Sequence, residues 1–332
     1  MTATASMLEI RDLTVQYNRG HRKPPLTALR DACLTVAPGE SVALVGESGS
    51  GKSTLGNAVL GLVPVTSGTI TFDGEDITHA STRRRRALTR DIQAVFQDPY
   101  GSLNPVRAIG RTLAEPLLAH QRLSRAEMAA RVAAALERVG LSAEAADLYP
   151  GQFSGGQRQR IAIARALMLS PRLIVCDEPL SALDLSVQAQ VLNLLKAIQR
   201  DLGVSYLFIT HNLSVIPHIA HRVVVLYRGR VVETGPADQV CARPGHPYTQ
   251  ALISAAPTPD PAEQRARRRT RKPAAAITAL PVSGCVFAPR CPHSVAVCTQ
   301  TEPIVFATGG GSVACGRYPE LTRRLTVQLG DL

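Results

Sequence analysis

The sequence predicts an α/β fold in which helices alternate with the strands of a largely parallel sheet and a helical region is inserted. Three observations carry this prediction. Short apolar β-like runs recur between segments of helical periodicity. A glycine-rich loop of the phosphate-binding kind lies between an apolar run and a helical one. From about residue 99 to residue 169 the pattern is mostly helical.

In chain order, "LEIRDLTVQY" and "SVALVG" read as strands, and residues 52–62 read as a helix. "TITFDG" is a further strand that ends in a turn. Within the helical region, "RAEMAARVAAALERVGL" is the clearest amphipathic stretch. Strands return as "RLIVCDEP" and "VSYLFITH", with the helical "SVQAQVLNLLKAIQRDLG" between them. After about Gly235 the chain turns rich in Pro, Ala and Arg, and four of its seven cysteines follow. The domain expectation is therefore residues 1–235 with a helical part at about 98–170, then an extension over 236–332.

At 332 residues the chain is long enough to bury a substantial core. The formal charge of +11 favours an anionic neighbour, whether nucleotide, nucleic acid or membrane surface. Much of it lies in two runs, residues 83–86 and 265–272, which read equally well as solvated loops. Trp is absent and few aromatics flank either run, so no direct nucleic-acid contact is expected. No apolar stretch approaches the roughly 18 residues of a membrane span, and the N-terminal residues do not form a secretion signal, which points to the cytoplasm.

"GESGSGKST" places Gly46, Gly51, Lys52 and Ser53 in the pattern G-x-x-x-x-G-K-[ST]. Glycines let the backbone wrap phosphates, and the following helix directs its positive N-terminus at them. Lys52 would pair with the β- and γ-phosphates and the Ser53 hydroxyl would bind Mg²⁺. "LIVCDE" supplies the two acids such a site needs at a strand end: Asp177 for the metal and Glu178 to polarise water. "FSGGQRQR" then poses a question, because Ser154, Gly155 and Gly156 offer a second close approach to an anion.

Together these motifs resemble the ATP-binding subunit of ABC transporters. The resemblance implies a P-loop (RecA-like) ABC ATPase domain with an inserted helical subdomain, and two subunits facing head to tail. Ser154, Gly155, Gly156 and Gln157 would then clamp an ATP held by the partner's loop. Ser48, Gly49 and Thr54 complete the loop, and Tyr17 lies where the family stacks adenine. By the same resemblance Gln97 reaches Mg²⁺ and water, Asp184 crosses the dimer interface, and His211 reaches the γ-phosphate. None of these positions carries a degenerate residue.

"GHPYTQALISAAP" and "QDPYGSLNP" resemble the oligopeptide and dipeptide importer branch, specifically its second ATPase subunit. That implies import of peptides, a related ABC ATPase as heterodimer partner, two transmembrane permease subunits and an extracytoplasmic substrate-binding protein. The chain would then lie on the cytoplasmic face of the membrane. Nickel and other small-solute importers share this architecture. A soluble ABC ATPase acting on nucleic acid or ribosomes is the alternative from another class. Cys285, Cys291, Cys298 and Cys315 are spaced C-x5-C-x6-C-x16-C. In a cytoplasmic chain such a cluster suits Zn²⁺ or an iron–sulfur cluster, or else four reduced thiols. The resemblance adds that a 4Fe–4S cluster occurs here in some peptide-importer ATPases. Cys33, Cys176 and Cys241 lie apart and read as small core or surface residues.

Overall fold

The computed structural model describes residues 6–20, 24–98, 100–255 and 283–322. The basic run at 265–272 and the end of the "GHPYTQALISAAP" stretch lie outside them.

Two sheets sandwich one helix. An eight-stranded sheet carries β3 (Ser41–Val45), β6 (Ile92–Val95), β7 (Leu173–Asp177), β8 (Ser205–Thr210) and β9 (Arg222–Tyr227) as its parallel part, in the order β9-β3-β8-β7-β6. Every residue of β3 and β8 is buried, as in a strand covered on both faces. That is why both read as unbroken apolar runs. A second, antiparallel sheet holds β1 (Leu8–Tyr17), β2 (Leu26–Val36), β4 (Ser67–Phe72) and the short β5 (Glu75–Asp76) in the order β2-β1-β4-β5. Between the sheets lies α1 (Lys52–Leu60), whose Leu55, Ala58 and Val59 pack with Leu8, Val42, Leu207 and Ile209 in one core.

The other face of the large sheet is covered by the inserted helices. These are α3 (Ile109–His120), α4 (Arg125–Arg138) and α5 (Gly155–Leu167), joined by α6 (Leu185–Leu202), and they form a second core around Leu113, Leu136, Ile161 and Leu195. α4 and α5 each open with a reciprocal capping box, Ser124 with Glu127 and Ser154 with Gln157.

The run at 83–86 is not the loop that its charge allows. It forms α2 (Thr82–Leu88), and the Arg85 guanidinium is turned inward onto the carbonyls of Val59, Ile77 and Thr78. One arginine thus donates to three carbonyls, at the end of α1 and in the segment after β5.

The sheet of the first part also takes in strands from beyond Gly235. β10 (Arg230–Pro236) pairs with β9 through a two-residue turn at Arg228 and Gly229, whose φ values of 48° and 80° suit the twist of a tight hairpin. β11 (Val305–Thr308) and β12 (Gly311–Ala314) extend the same sheet past β10. Short helices α7 (Ile216–Ile219), α8 (Ala237–Ala242), α9 (Pro247–Ala255) and α10 (Ala296–Gln300) surround this end. Tyr227, Val240, Tyr248 and Phe287 form its core.

Candidate nucleotide site

Parallel strands end together at one edge of the sheet, the usual place for a ligand in such folds. Register sets this edge: Val45 pairs with Thr210, Asp177 with Ile209 and Val95 with Cys176. The phosphate loop therefore follows β3, the two acids close β7, His211 follows β8 and Gln97 follows β6. Four motif groups far apart in sequence are brought to one edge by pairing alone.

The loop at residues 46–54 is shaped by its glycines. A Cβ on Gly46 would lie 2.1 Å from the Leu226 carbonyl oxygen, and one on Gly51, at φ 106°, would lie 2.6 Å from that of Ala28. Neither backbone atom can yield, so both positions require glycine. Gly49 and Ser48 form the exposed tip. Among the described residues the buried Ser50 hydroxyl has no hydrogen-bond partner, an orphaned polar atom inside the cradle.

Lys52 opens α1, and its ammonium donates to the carbonyls of Gly46 at 2.9 Å and Glu47 at 3.0 Å. Burial lowers its pKa, while the nearby charges of Glu178 and Asp177 oppose that shift. The next residue, Ser53, donates from its hydroxyl to Asp177 Oδ1 at 3.2 Å. Burial raises the Asp177 pKa, against the pull of the Ser53 hydrogen bond, and Glu178 adds to the rise. A half-buried carboxylate beside a hydroxyl is a hard-oxygen pair that fits Mg²⁺. Glu178 Oε1 meets His211 Nδ1 at 3.0 Å. The half-buried Tyr17 donates its hydroxyl to Thr54 Oγ1 at 3.3 Å, which places its ring beside the start of α1.

So Tyr17, Lys52, Ser53, Thr54, Asp177, Glu178 and His211 form one connected group. Gln97 stands exposed at the neighbouring strand end. Ser154, Gly155, Gly156 and Gln157 do not join that group. They begin α5, where Ser154 Oγ accepts from the Gln157 N–H at 3.3 Å and Gln157 Oε1 accepts from the Ser154 N–H at 2.9 Å. Gly156 has a local duty that the motif does not announce, since a Cβ there would lie 2.4 Å from Val187 Cγ1 on α6. Asp184 caps α6, accepting from the Val187 N–H at 2.9 Å.

The C-terminal cysteines also gather. Cys285, Cys291, Cys298 and Cys315 line one cavity of about 150 Å³ together with His246 and Phe287. Burial raises the Cys285 and Cys315 pKa values and pushes Cys291 up to about 11. Among the described residues, no three His, Cys, Asp or Glu side chains are placed to hold a metal ion. The thiols as they stand are therefore not in the close tetrahedral set that zinc takes.

Sequence reasoning did not find Arg290, Tyr248 or the role of Glu47. Glu47 accepts from Arg290 in a two-pronged pair, Nη1 to Oε2 at 2.8 Å and Nη2 to Oε1 at 3.0 Å. Its backbone N–H donates to the Tyr248 hydroxyl at 2.8 Å. No spacing rule could have signalled contacts across so long a stretch of chain.

With this geometry in view, the likeness to known proteins is specific at both ends of the chain. Residues 29–181 match the ABC transporter family, and residues 232–298 match the oligopeptide/dipeptide transporter C-terminal region. The oligopeptide transport ATP-binding protein OppF of Salmonella typhimurium is 45% identical over 318 residues, covering 93% of this chain and 95% of that protein. A probable peptide ABC transporter ATP-binding protein of Sinorhizobium fredii, y4tS, is 46% identical over 319 residues, covering 93% and 89%. Among solved structures, the ATP-binding cassette MJ0796, a dimer in a post-hydrolysis state bound to ADP and Pi, superposes with a TM-score of 0.63 at 30% identity, covering 70% of this chain and 99% of that one. The chain belongs to the ATP-binding proteins of ABC transporters, in the branch that carries the oligopeptide/dipeptide transporter C-terminal region.

Proposed function

We propose that this chain hydrolyses ATP to energise the import of peptides through a membrane ABC transporter. The carrying observation is the convergence of Lys52, Ser53, Asp177, Glu178 and His211 at one sheet edge, in a chain whose residues 232–298 match the peptide-transporter region. ATP would lie along the loop at residues 46–54, its phosphates facing the N-terminus of α1 and Lys52, with Tyr17 beside the base. Ser53 and Asp177, with Gln97 from the adjoining strand end, would hold Mg²⁺. When bound, that ion neutralises phosphate charge. Glu178 takes the proton side of the attacking water, and His211, hydrogen-bonded to Glu178, is poised to reach the γ-phosphate.

The partner surface would be Ser154–Gln157 at the start of α5, donating to an ATP cradled by a second ABC ATPase, with Asp184 near the seam. Two permease subunits would anchor the pair to the cytoplasmic face of the membrane, and an extracytoplasmic binding protein would deliver cargo. No helix among the described residues is long and apolar enough to cross a membrane, so anchoring falls to those subunits. For the cysteines, which line one cavity, the proposed occupant is a 4Fe–4S cluster, with zinc or four reduced thiols as the alternatives. An iron-dependent absorption band in anaerobically purified protein, lost on Cys291→Ser, is the check.

The test of transport is uptake by cells whose only copy of the chain is wild type or Lys52→Ala. Labelled di- and oligopeptides should enter the wild type and not the variant. If instead nickel uptake alone depends on Lys52, the site is that of a small-solute importer.

A further inference from the structure

The phosphate loop is held from outside by a part of the chain that contains none of the ATPase motifs. Glu47, the second residue of the loop, is gripped at three points. Its carbonyl accepts from Lys52 and its N–H donates to the Tyr248 hydroxyl. Its carboxylate is forked by Arg290, 243 residues away in sequence. Tyr248 lies on α9, and Arg290 ends the single turn Ala288–Arg290, which sits between Cys285 and Cys291.

Both grips are firmly seated. Tyr248 is 1% exposed, and its ring centroid lies 4.4 Å from that of Tyr227 and 5.5 Å from that of Phe287. The Arg290 guanidinium lies 5.9 Å from the Tyr227 ring centre and 5.8 Å from that of Phe287, and Nη1 also donates to the Tyr227 hydroxyl at 3.4 Å. A lone surface ion pair does little. A bidentate one braced between two aromatic rings fixes a geometry.

The loop needs such fixing. Phosphate binding depends on several backbone N–H groups pointing inward at once, and a loop that wanders loses affinity to the entropy of re-forming. Gly49 and Ser48 at its tip are exposed, and although the Gly229 N–H donates to the Ser50 carbonyl at 2.8 Å, Ser50 Oγ makes no bond among the described residues. Glu47 is where the outer arm is anchored, and the anchor is the C-terminal region. We propose that Arg290 and Tyr248 are positioning residues for ATP: by holding Glu47 they keep the phosphate loop in its binding shape. This rests on the assignment of residues 46–54 as the nucleotide site. It makes the region after Gly235 part of nucleotide binding.

The test is calorimetric titration of the full chain with ATP and Mg²⁺, together with ATPase kinetics of the assembled transporter. Arg290→Gln should weaken ATP binding about five- to tenfold, a part of what a charge-assisted pair is worth, because Tyr248 remains. The same variant should raise KM and leave kcat within about twofold, the signature of lost ground-state binding. Glu47→Gln should lose as much, and the double variant no more than either single one. Arg290→Lys should recover only part, since a point charge cannot fork a carboxylate. Tyr248→Phe keeps the ring and should show a smaller loss.

Unchanged affinity in Glu47→Gln, additive losses in the double variant, or equal falls in kcat and kcat/KM would each overturn the proposal. The Glu47 side chain is 42% exposed, so its variant carries the test even if Arg290→Gln fails to fold. Lys52→Ala separates the two ideas. If it still binds ATP, the nucleotide site itself is wrong. If it does not, while the Arg290 and Glu47 variants bind normally, only the brace falls.

Discussion

Glu178 has φ 47°, in the left-handed region that a residue with a side chain holds only when its surroundings impose it. Three bonds impose it here. The Glu178 N–H donates to the Ile209 carbonyl at 2.9 Å, the Ser181 hydroxyl donates to the Glu178 carbonyl at 3.1 Å, and the side chain meets His211. The twist sends two consecutive acids to different tasks, Asp177 toward Ser53 and Glu178 toward His211. A strained residue at a strand end, clamped on both sides, marks the chemical step better than burial does. Glu178→Gln keeps the shape and removes the base, so hydrolysis should fall by about 10²–10⁴-fold, the usual range for a lost general base. ATP affinity should stay close to wild type, because Lys52 and the loop are untouched. Single-turnover hydrolysis and nucleotide titration on the same preparation decide this, and loss of both together would make Glu178 a structural residue.

The start of α5 shows how one glycine can serve packing and recognition together. Gly155 has room for a methyl group, whose nearest neighbour would be the Tyr100 hydroxyl at 3.4 Å, whereas Gly156 faces Val187 at 2.4 Å. Gly156→Ala should therefore destabilise the chain by about 1–3 kcal/mol through overpacking, while Gly155→Ala should be nearly neutral to folding. Val187→Ala should restore the stability of Gly156→Ala, and thermal unfolding checks both. If ATPase activity of the assembled transporter stays low in that repaired double variant, Gly156 also acts on a nucleotide. Elements such as α4, α6 and β8 were legible because their signals are local: an amphipathic stripe, a helical run, an unbroken apolar run. The candidate site was legible too, since each motif at the sheet edge carries its own short pattern. β2 was not, because Asp31 sits at φ 50° within it and breaks the alternation. Nor were β11 and β12, four residues each: β12 becomes a strand by pairing with β10 far earlier in the chain, and β11 by pairing with β12.

At the scale of the molecule, one sheet links the ATPase core to the C-terminal region, and the joint contains a buried histidine. His246 is 1% exposed, its Nδ1 accepts from the Tyr248 N–H at 3.0 Å, and its backbone N–H donates to the Glu233 carboxylate at 3.0 Å. Burial lowers its pKa from 6.5 to about 4. A group whose folded value is depressed contributes stability that is complete above its unfolded pKa and is lost as pH falls toward the folded one. His246 should therefore cost the chain stability progressively from about pH 6.5 down to about pH 4, on the order of 2 kcal/mol by pH 5. Glu233 works the other way. Burial raises its pKa, so its share is complete below 4.5 and declines as pH rises through the folded value. The two opposing slopes are separated by His246→Asn, whose side-chain oxygen can still accept from the Tyr248 N–H but does not titrate. Thermal midpoints of metal-free wild type and variant, measured from pH 7.5 to 5, should diverge as the wild type alone becomes acid-labile. Parallel curves would show that the histidine is not the acid-sensitive group. Because Tyr248 follows His246 by two residues and holds Glu47, loosening at this joint should also reach the phosphate loop. ATP affinity of the wild type should accordingly fall with pH more steeply than that of His246→Asn, and equal slopes would confine the effect to the C-terminal region.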